Sequence, residues 1–260
     1  SQALGLNAVI AGIDLPPDAA PAQYRDVVAA VKRDPLALGA LVTTHKLTLF
    51  KASRDLFDAI DDDAEALGEV SCISKRDGVL WGHAKDPLSS GLAFEAAATD
   101  ARWREGAGML LLGAGGAALA LTLYLHNKQR AGGSVPARIA ISDRSATRLE
   151  DMRGIHRTLG VTIPVTYQLA ADASDNDRLL SQCAPGSLVV NATGLGKDAP
   201  GSPLSDEAIF PDNGAVWEFN YRGNLVFLEQ ARAQQATRRL AISDGWLYFI
   251  HGWTRAIAEV

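Results

Sequence analysis

Cysteine is close to absent from this sequence: Cys72 and Cys183 are the two it has, far apart in a chain of 260 residues. Neither sits in metal-ligand spacing, so no metal site is expected, and two distant thiols do not make a disulfide framework. They read as buried, reduced thiols, which fits a cytoplasmic protein. Long hydrophobic runs are also missing. The longest apolar stretch, around residues 109–125, is broken by glycines and contains a helix start, so it does not read as a membrane span. No run of Lys and Arg occurs, and a net charge of −5 argues against a nucleic-acid partner. No internal repeat, low-complexity segment or signal-peptide pattern is visible, in a sequence whose first residue is Ser1 rather than Met. What remains is the composition of an ordinary soluble globular protein, 47% hydrophobic and 21% charged, with enough apolar material for two domains or one large one.

Glycine, by contrast, is concentrated where it carries meaning. The apolar run Met109-Leu-Leu-Leu112 leads into Gly113-Ala-Gly-Gly-Ala-Ala118 and then into a helical pattern from Leu119 to His126. Strand, glycine turn and helix in that order make a site for a dinucleotide pyrophosphate. The glycines Gly113, Gly115 and Gly116, with Ala117 and Ala118, let the backbone approach the phosphates, and the helix N-terminus offers unpaired N–H groups. The alternative is a glycine-rich corner that binds nothing. Asp143, at the end of the next strand, is placed to accept hydrogen bonds from an adenosine ribose, which favours NAD. Arg144 beside it, with Arg148 a turn further on, would instead hold the 2′-phosphate of NADP, and residue types leave the choice open. Asp143 also reads as a helix N-cap, with Ser145 an equally good candidate.

The turn begins after roughly a hundred residues, so a substantial module precedes it. In that module helices are expected over 21–33, 46–57 and 88–97, and strands over 40–44, 70–75 and 79–82, with Arg76-Asp77-Gly78 as a hairpin turn. Residues 99–108 read as a polar connector. From Met109 strands and helices alternate: helices over 116–126, 146–159, 175–183 and 226–235, strands over 138–142, 161–167, 187–191, 215–219 and 239–242. That alternation predicts a doubly wound parallel sheet. A last apolar helix, 246–260, belongs either to that sheet or to the first half.

A second constellation is Leu41-Val-Thr-Thr-His-Lys46, where an apolar strand ends in polar residues. Lys46 is there either a solvated residue at a helix start or a proton donor reaching into a cleft. Asp86, in Gly82-His-Ala-Lys-Asp-Pro87, is on type alone a turn residue before proline.

Together these segments resemble the shikimate/quinate dehydrogenase family. Its order is a strand ending in a catalytic lysine, then Gly-Ala-Val-Asn-Thr, Gly-x-Asn-Thr-Asp and Gly-Ala-Gly-Gly-Ala. Here those stand as Val42-Thr-Thr-His-Lys46, Gly68-Glu-Val-Ser-Cys72, Gly82-His-Ala-Lys-Asp86 and Gly113–Ala117. Val190-Asn-Ala-Thr-Gly-Leu-Gly196 resembles the family's Asn-Ala-Thr-Pro-Leu-Gly loop near the nicotinamide, which places Thr193 and Gly194 at the cofactor. Glu218-Phe-Asn-Tyr221 resembles its Asp-x-x-Tyr, and Asp244-Gly245 its Asp-Gly-Leu. The resemblance implies an N-terminal α/β substrate domain over 1–101, a Rossmann-type doubly wound domain over 102–244, and a C-terminal helix, 245–260, returning to the substrate domain. It implies NAD(P)-dependent interconversion of a cyclic polyol acid and its ketone, of the shikimate or quinate type, within aromatic amino acid biosynthesis. Lys46 would be the proton donor and acceptor and Asp86 its partner, with Thr43, Ser71, Lys85, Tyr221 and His251 around the substrate. The protein would be a monomer or homodimer.

Departures from the family pattern bear on the substrate. The family's substrate-contacting asparagine is Ser71, and the asparagine and threonine before its aspartate are Ala84 and Lys85. The threonine before the lysine falls on Thr43 or Val42, and the glutamine of the last helix on His251 or Gly252. Pro87-Leu-Ser-Ser-Gly91 replaces a Gly-x-Gly, and the Ser-x-Ser element that holds the substrate carboxylate is expected upstream of Gly5. Lys85, His45, His251 and Arg222 pointing inward would make the pocket suited to a more anionic ligand; Lys85 facing solvent or pairing with Asp86 would not. A metabolite or dinucleotide sensor on the same fold is the alternative to an enzyme. A folate-type dehydrogenase of related layout fits Lys46, Asp86 and the 218–221 segment less well.

Overall fold

In the computed structural model, residues 5, 7–16, 18–197 and 199–260 are described. Two sheets organise them. The larger has six parallel strands: β5 (Met109–Leu112), β6 (Ile139–Asp143), β7 (Val165–Leu169), β8 (Leu188–Asn191), β9 (Ala215–Glu218) and β10 (Ala241–Ser243). Their spatial order is β10-β9-β8-β5-β6-β7. β5 is central, buried along its whole length, and the winding reverses between β5 and β8. In such sheets the crevice outside the strands' carboxyl ends at that reversal is where ligands bind.

The smaller sheet is mixed, in the order β1-β3-β4-β2, with β1 (Gly39–Leu41), β2 (Ala59–Ile60), β3 (Cys72–Arg76) and β4 (Val79–His83). β3 pairs antiparallel with β1 and β4, while β2 runs parallel to β4. The hairpin between β3 and β4 turns at Asp77 and Gly78, both left-handed (φ 52° and 78°), as its sequence predicts.

The helices preceding β5 are α1 (Pro21–Arg33), α2 (Lys46–Ser53), α3 (Asp62–Leu67), α4 (Asp86–Ala97) and α5 (Asp100–Arg104). Those after it are α6 (Gly116–Arg130), α7 (Ala146–Leu159), α8 (Ala173–Ser181), α9 (Val226–Arg238) and α10 (Trp246–Glu259). α10 returns to the smaller sheet: the Arg76 guanidinium donates to the Glu259 carbonyl (2.6 Å), and Cys72 lies buried beneath Ala256. α4 packs on α6 and on the returning α10. A Cβ on Gly91 would stand 2.2 Å from the Tyr124 ring, so α4 and α6 pack closely there because that residue has no side chain.

Several expected boundaries move, each for a local reason. The strand expected over 161–167 starts at Val165, because the Val161 N–H still closes α7 onto His156 and Pro164 has no donor. β1 ends at Leu41, since Thr43 and Thr44 turn into solvent at the cleft, and α2 stops at Ser53 in a 3₁₀ turn. The connector over 99–108 contains the short helix α5. β2 and α3 were absent from the expected elements. β2 has two residues, too short to show a period, and α3 is an acidic six-residue helix held by the Asp61 N-cap and left-handed Gly68.

Candidate active site

Lys46 is the first residue of α2 and Asp86 the first of α4, and the fold brings these two helix starts together. The Lys46 ammonium and the Asp86 carboxylate form a largely buried ion pair, with side chains 22% and 15% exposed. Burial alone would lower the Lys46 pKa, but the Asp86 and Glu69 carboxyls beside it hold it above the ordinary lysine value. The pair opens into a cleft of about 1130 Å³ at the reversal point of the large sheet, lined from both sheets.

On the large-sheet side the glycine turn lines that cleft. Gly113 is left-handed (φ 107°), and a Cβ there would sit 2.9 Å from the Ala192 carbonyl carbon and oxygen, so the position admits only glycine. A Cβ on Gly115, the N-cap of α6, would meet nothing within 4 Å, leaving open space over the helix N-terminus. Gly116 and Ala117 line the cleft as well, whereas Ala118 lies fully buried beneath them and packs the turn instead of facing a ligand. This combination of open space, helix N-terminus and close backbone fits a dinucleotide pyrophosphate.

Asp143 has both carboxylate oxygens engaged: Oδ2 accepts from Ala114 N–H (2.9 Å) and Oδ1 from Ser145 N–H (2.8 Å). Ser145, not Asp143, is the N-cap of α7, accepting from Arg148 N–H (3.3 Å). Asp143 thus braces the glycine turn, and Arg144 and Arg148 stand exposed beside it at the cleft.

Opposite, Asn191 at the end of β8 shapes the segment carrying Thr193 and Gly194. Its Oδ1 accepts from the Thr193 N–H (3.0 Å) and hydroxyl (2.7 Å), and its Nδ2 donates to Glu218 Oε2 (2.6 Å). Glu218 Oε1 accepts from the Asn220 N–H (2.8 Å) and side-chain amide (2.7 Å). Burial pushes the Glu218 carboxyl up to about 7 despite these three donors. Tyr221 reaches the cleft and stacks on Phe249 of α10, with ring centroids 4.1 Å apart.

Around Lys46 the expected substrate contacts divide. Thr43 and Val42 both line the cleft, Thr43 the more exposed. Ser71 lies at the cleft wall, but its hydroxyl is used within the protein, accepting from Lys85 N–H (2.7 Å) and donating to the His83 carbonyl (3.4 Å). Lys85 lines the cleft, but its charge is already matched within the protein. Its ammonium pairs with Glu259 (2.8 Å) and approaches Asp61 (3.8 Å), because the end of α10 brings a carboxylate within its reach. Of the alternatives His251 and Gly252, it is Gly252 that lines the cleft, along with Tyr248, Phe249 and Trp253. His45 is structural: its ring bonds the Tyr24 hydroxyl (2.9 Å) and the Leu15 carbonyl (3.0 Å). The case for an unusually cationic pocket therefore rests on Arg222 alone among the four residues that prompted it. Both thiols are poor nucleophiles, pushed by burial to about 12 at Cys72 and about 11 at Cys183, the latter only partly buried.

Two residues at this corner were not singled out in the sequence. Tyr248 has its hydroxyl pushed well up by burial beside Asp86 and Glu69. Glu69 is a buried acid in the segment that departs from Gly-Ala-Val-Asn-Thr, and that unexpected charge was its one signal.

No family model matches the chain. Among curated relatives, shikimate dehydrogenase (NADP(+)) from Symbiobacterium thermophilum is 29% identical over 222 residues, covering 85% of this chain and 68% of the relative. The chain spans between 56% and 69% of the length of the curated shikimate dehydrogenases it matches. A shikimate dehydrogenase structure in complex with NADP+ superposes with a TM-score of 0.72 at 20% identity, covering 98% of this chain and 80% of that one. Quinate dehydrogenase from Corynebacterium glutamicum, in complex with NAD, gives a TM-score of 0.67 at 20% identity, covering 89% and 75%. At that identity the structural likeness establishes the fold.

Proposed function

We propose that this chain, a divergent relative of the shikimate dehydrogenases, is an NADP-dependent oxidoreductase that interconverts a cyclic polyol acid and its ketone. The observation that carries this reading is the Lys46–Asp86 ion pair facing the glycine turn across one cleft. Gly113, Gly115 and Gly116 would hold the pyrophosphate, and Thr193 and Gly194 would flank the nicotinamide. The bound dinucleotide would supply hydride exchange with a substrate carbon, a chemistry no side chain offers. Lys46 would give a proton to the oxygen left on that carbon, or take one from the hydroxyl in the reverse direction. Asp86 would orient the same hydroxyl and keep Lys46 charged in the resting site. NADP is favoured over NAD because both Asp143 oxygens already hold backbone N–H groups of the turn, while Arg144 and Arg148 stand exposed to meet a phosphate. Tyr221, Thr43 and Tyr248 would be among the polar groups that contact substrate hydroxyls.

The test is turnover of NADPH and NADP+, followed by nicotinamide absorbance, against a panel of cyclic polyol acids and their ketones. Turnover should fall by about a thousandfold in Lys46→Ala with NADPH binding retained, as expected for loss of a positioned proton donor. Tight NADPH binding without turnover on any compound would favour the sensor reading instead.

A further inference from the structure

Glu69 follows the left-handed Gly68 that ends α3, and the next residue, Val70, donates its N–H to the Lys46 carbonyl (3.3 Å). That bond fixes Glu69 beside the start of α2. Its side chain lines the cleft and reaches the N-terminus of α6, where a Cβ on Gly116 would lie 3.6 Å from Glu69 Oε2. The residue is 3% exposed, and its Oε1 is sealed from solvent with no hydrogen-bond partner among the described residues. The ionisable groups near enough to bias it are Lys46 from α2, Asp86 from α4 and Tyr248 from α10, none of them hydrogen-bonded to it, with the Gly116 backbone of α6 alongside. One cation therefore serves two carboxyls and a phenol. A buried acid with an idle oxygen is unfavourable, and an apolar side chain would fill the space without that cost.

We propose that Glu69 is a positioning residue for proton transfer, whose carboxyl stores the proton that Lys46 exchanges with the substrate oxygen inside the closed cleft. The inference rests on the oxidoreductase reading above. In ketone reduction a Lys46 N–H bond breaks as the alcohol O–H bond forms, leaving a neutral amine. The Glu69 O–H bond then breaks and, through one bridging water, the Lys46 N–H bond re-forms, giving ammonium and carboxylate. Water returns a proton to Glu69 when the cleft reopens, and alcohol oxidation runs the same exchanges backwards. Burial, reinforced by Asp86 and opposed by Lys46, pushes the Glu69 carboxyl up to about 7. An acid there passes its proton downhill to an amine held above the ordinary lysine value. With ligands filling the cleft, an internal donor spares Lys46 from waiting for bulk water.

The test compares the wild type with Glu69→Gln and Lys46→Met by two measurements. The first needs no turnover: the infrared carbonyl band of a protonated carboxylic acid, followed against pH. Two carboxyls, Glu69 and Glu218, should lose this band through about pH 7 in the wild type, and Glu69→Gln should keep only the Glu218 component. In Lys46→Met the Glu69 titration should move up by about one pH unit, since the cation that favours the carboxylate is gone. A Glu69 titration left in place by Lys46→Met would overturn the proposal. The second is the pH profile of ketone reduction. The wild-type rate should fall by about tenfold through about pH 7 and then level off, as the stored proton is lost. Glu69→Gln, which keeps the side chain's shape, should be about tenfold slower at low pH and flat across that range. A Glu69→Gln enzyme retaining the wild-type limb would also overturn it. If no cyclic acid turns over, the activity reading fails, while the infrared titration still judges the coupling of Glu69 to Lys46.

Discussion

On its dinucleotide side the cleft is built mostly from backbone, and on its Lys46 side from side chains. The first wall consists of Gly113, Gly115, Gly116 and the α6 N-terminus, with Asp143 spending both oxygens on backbone N–H groups to hold that turn. The second consists of Lys46, Asp86, Glu69 and Tyr248, drawn from α2, α4, the segment after α3, and α10. A backbone wall tolerates changes in its neighbours as long as its glycines stay, because its donors are main-chain atoms. A side-chain wall is rewritten one residue at a time: Ser71 turns its hydroxyl inward, Lys85 turns to Glu259, and an acid enters at 69. The reaction type and the substrate thus rest on different physical foundations in one cleft.

The sharpest way to break that contrast is to give the backbone wall a side chain. Gly113→Ala puts a Cβ 2.9 Å from the Ala192 carbonyl in a conformation only glycine adopts readily. NADPH affinity, read by fluorescence, should fall about a hundredfold, the equivalent of roughly 2.7 kcal/mol. Stability should fall by about 1–3 kcal/mol from the strained backbone, measured by denaturant unfolding. Unchanged NADPH binding would mean that the turn is only a corner.

The same contrast explains what could be read in advance. Strand, glycine turn and helix lie within twenty-two residues, Met109 to Arg130, so local pattern was enough to locate the turn and the alternation that follows it. Lys46 and Asp86 lie on separate helices, and their pairing was legible only through family order; no periodicity encodes it. The orientation of Lys85 was not legible at all, because it depends on Glu259, 174 positions later, arriving on the returning α10 (259 − 85). Ser71 failed for a related reason: its hydroxyl is committed to two backbone groups of the β4 end, which only register reveals. Glu69 stood in plain view as a charge within an apolar segment, yet its meaning needed Lys46, Asp86 and Tyr248 around it.

A smaller effect tests how the backbone wall chooses its cofactor. Arg144 and Arg148 are exposed charges at the mouth, and replacing Arg144 by Ala removes one charge-assisted contact to a 2′-phosphate. The NADPH dissociation constant should rise about tenfold while that of NADH moves little, which a parallel fluorescence titration reads directly. Equal losses for both cofactors would place Arg144 on the pyrophosphate, and the preference for NADP would lose its support.

The smallest effect is expected where sequence reasoning placed a pocket charge. Lys85 belongs to a cluster with Glu259 (2.8 Å), Asp61 (3.8 Å) and, through Asp61, His83 (3.3 Å), which clamps the end of α10 to the smaller sheet. Its bond to Glu259 holds that carboxyl below the ordinary glutamate value. The pair is partly buried, with side chains 17% and 29% exposed, so its contribution should stay near the exposed-pair range of about 0.2–1 kcal/mol. Lys85→Ala should accordingly lower unfolding stability by no more than about 1 kcal/mol and leave the affinity for anionic cleft ligands within about twofold. A tenfold loss of ligand affinity at unchanged stability would instead put the Lys85 ammonium in the cleft, where it would restore the case for a more anionic substrate.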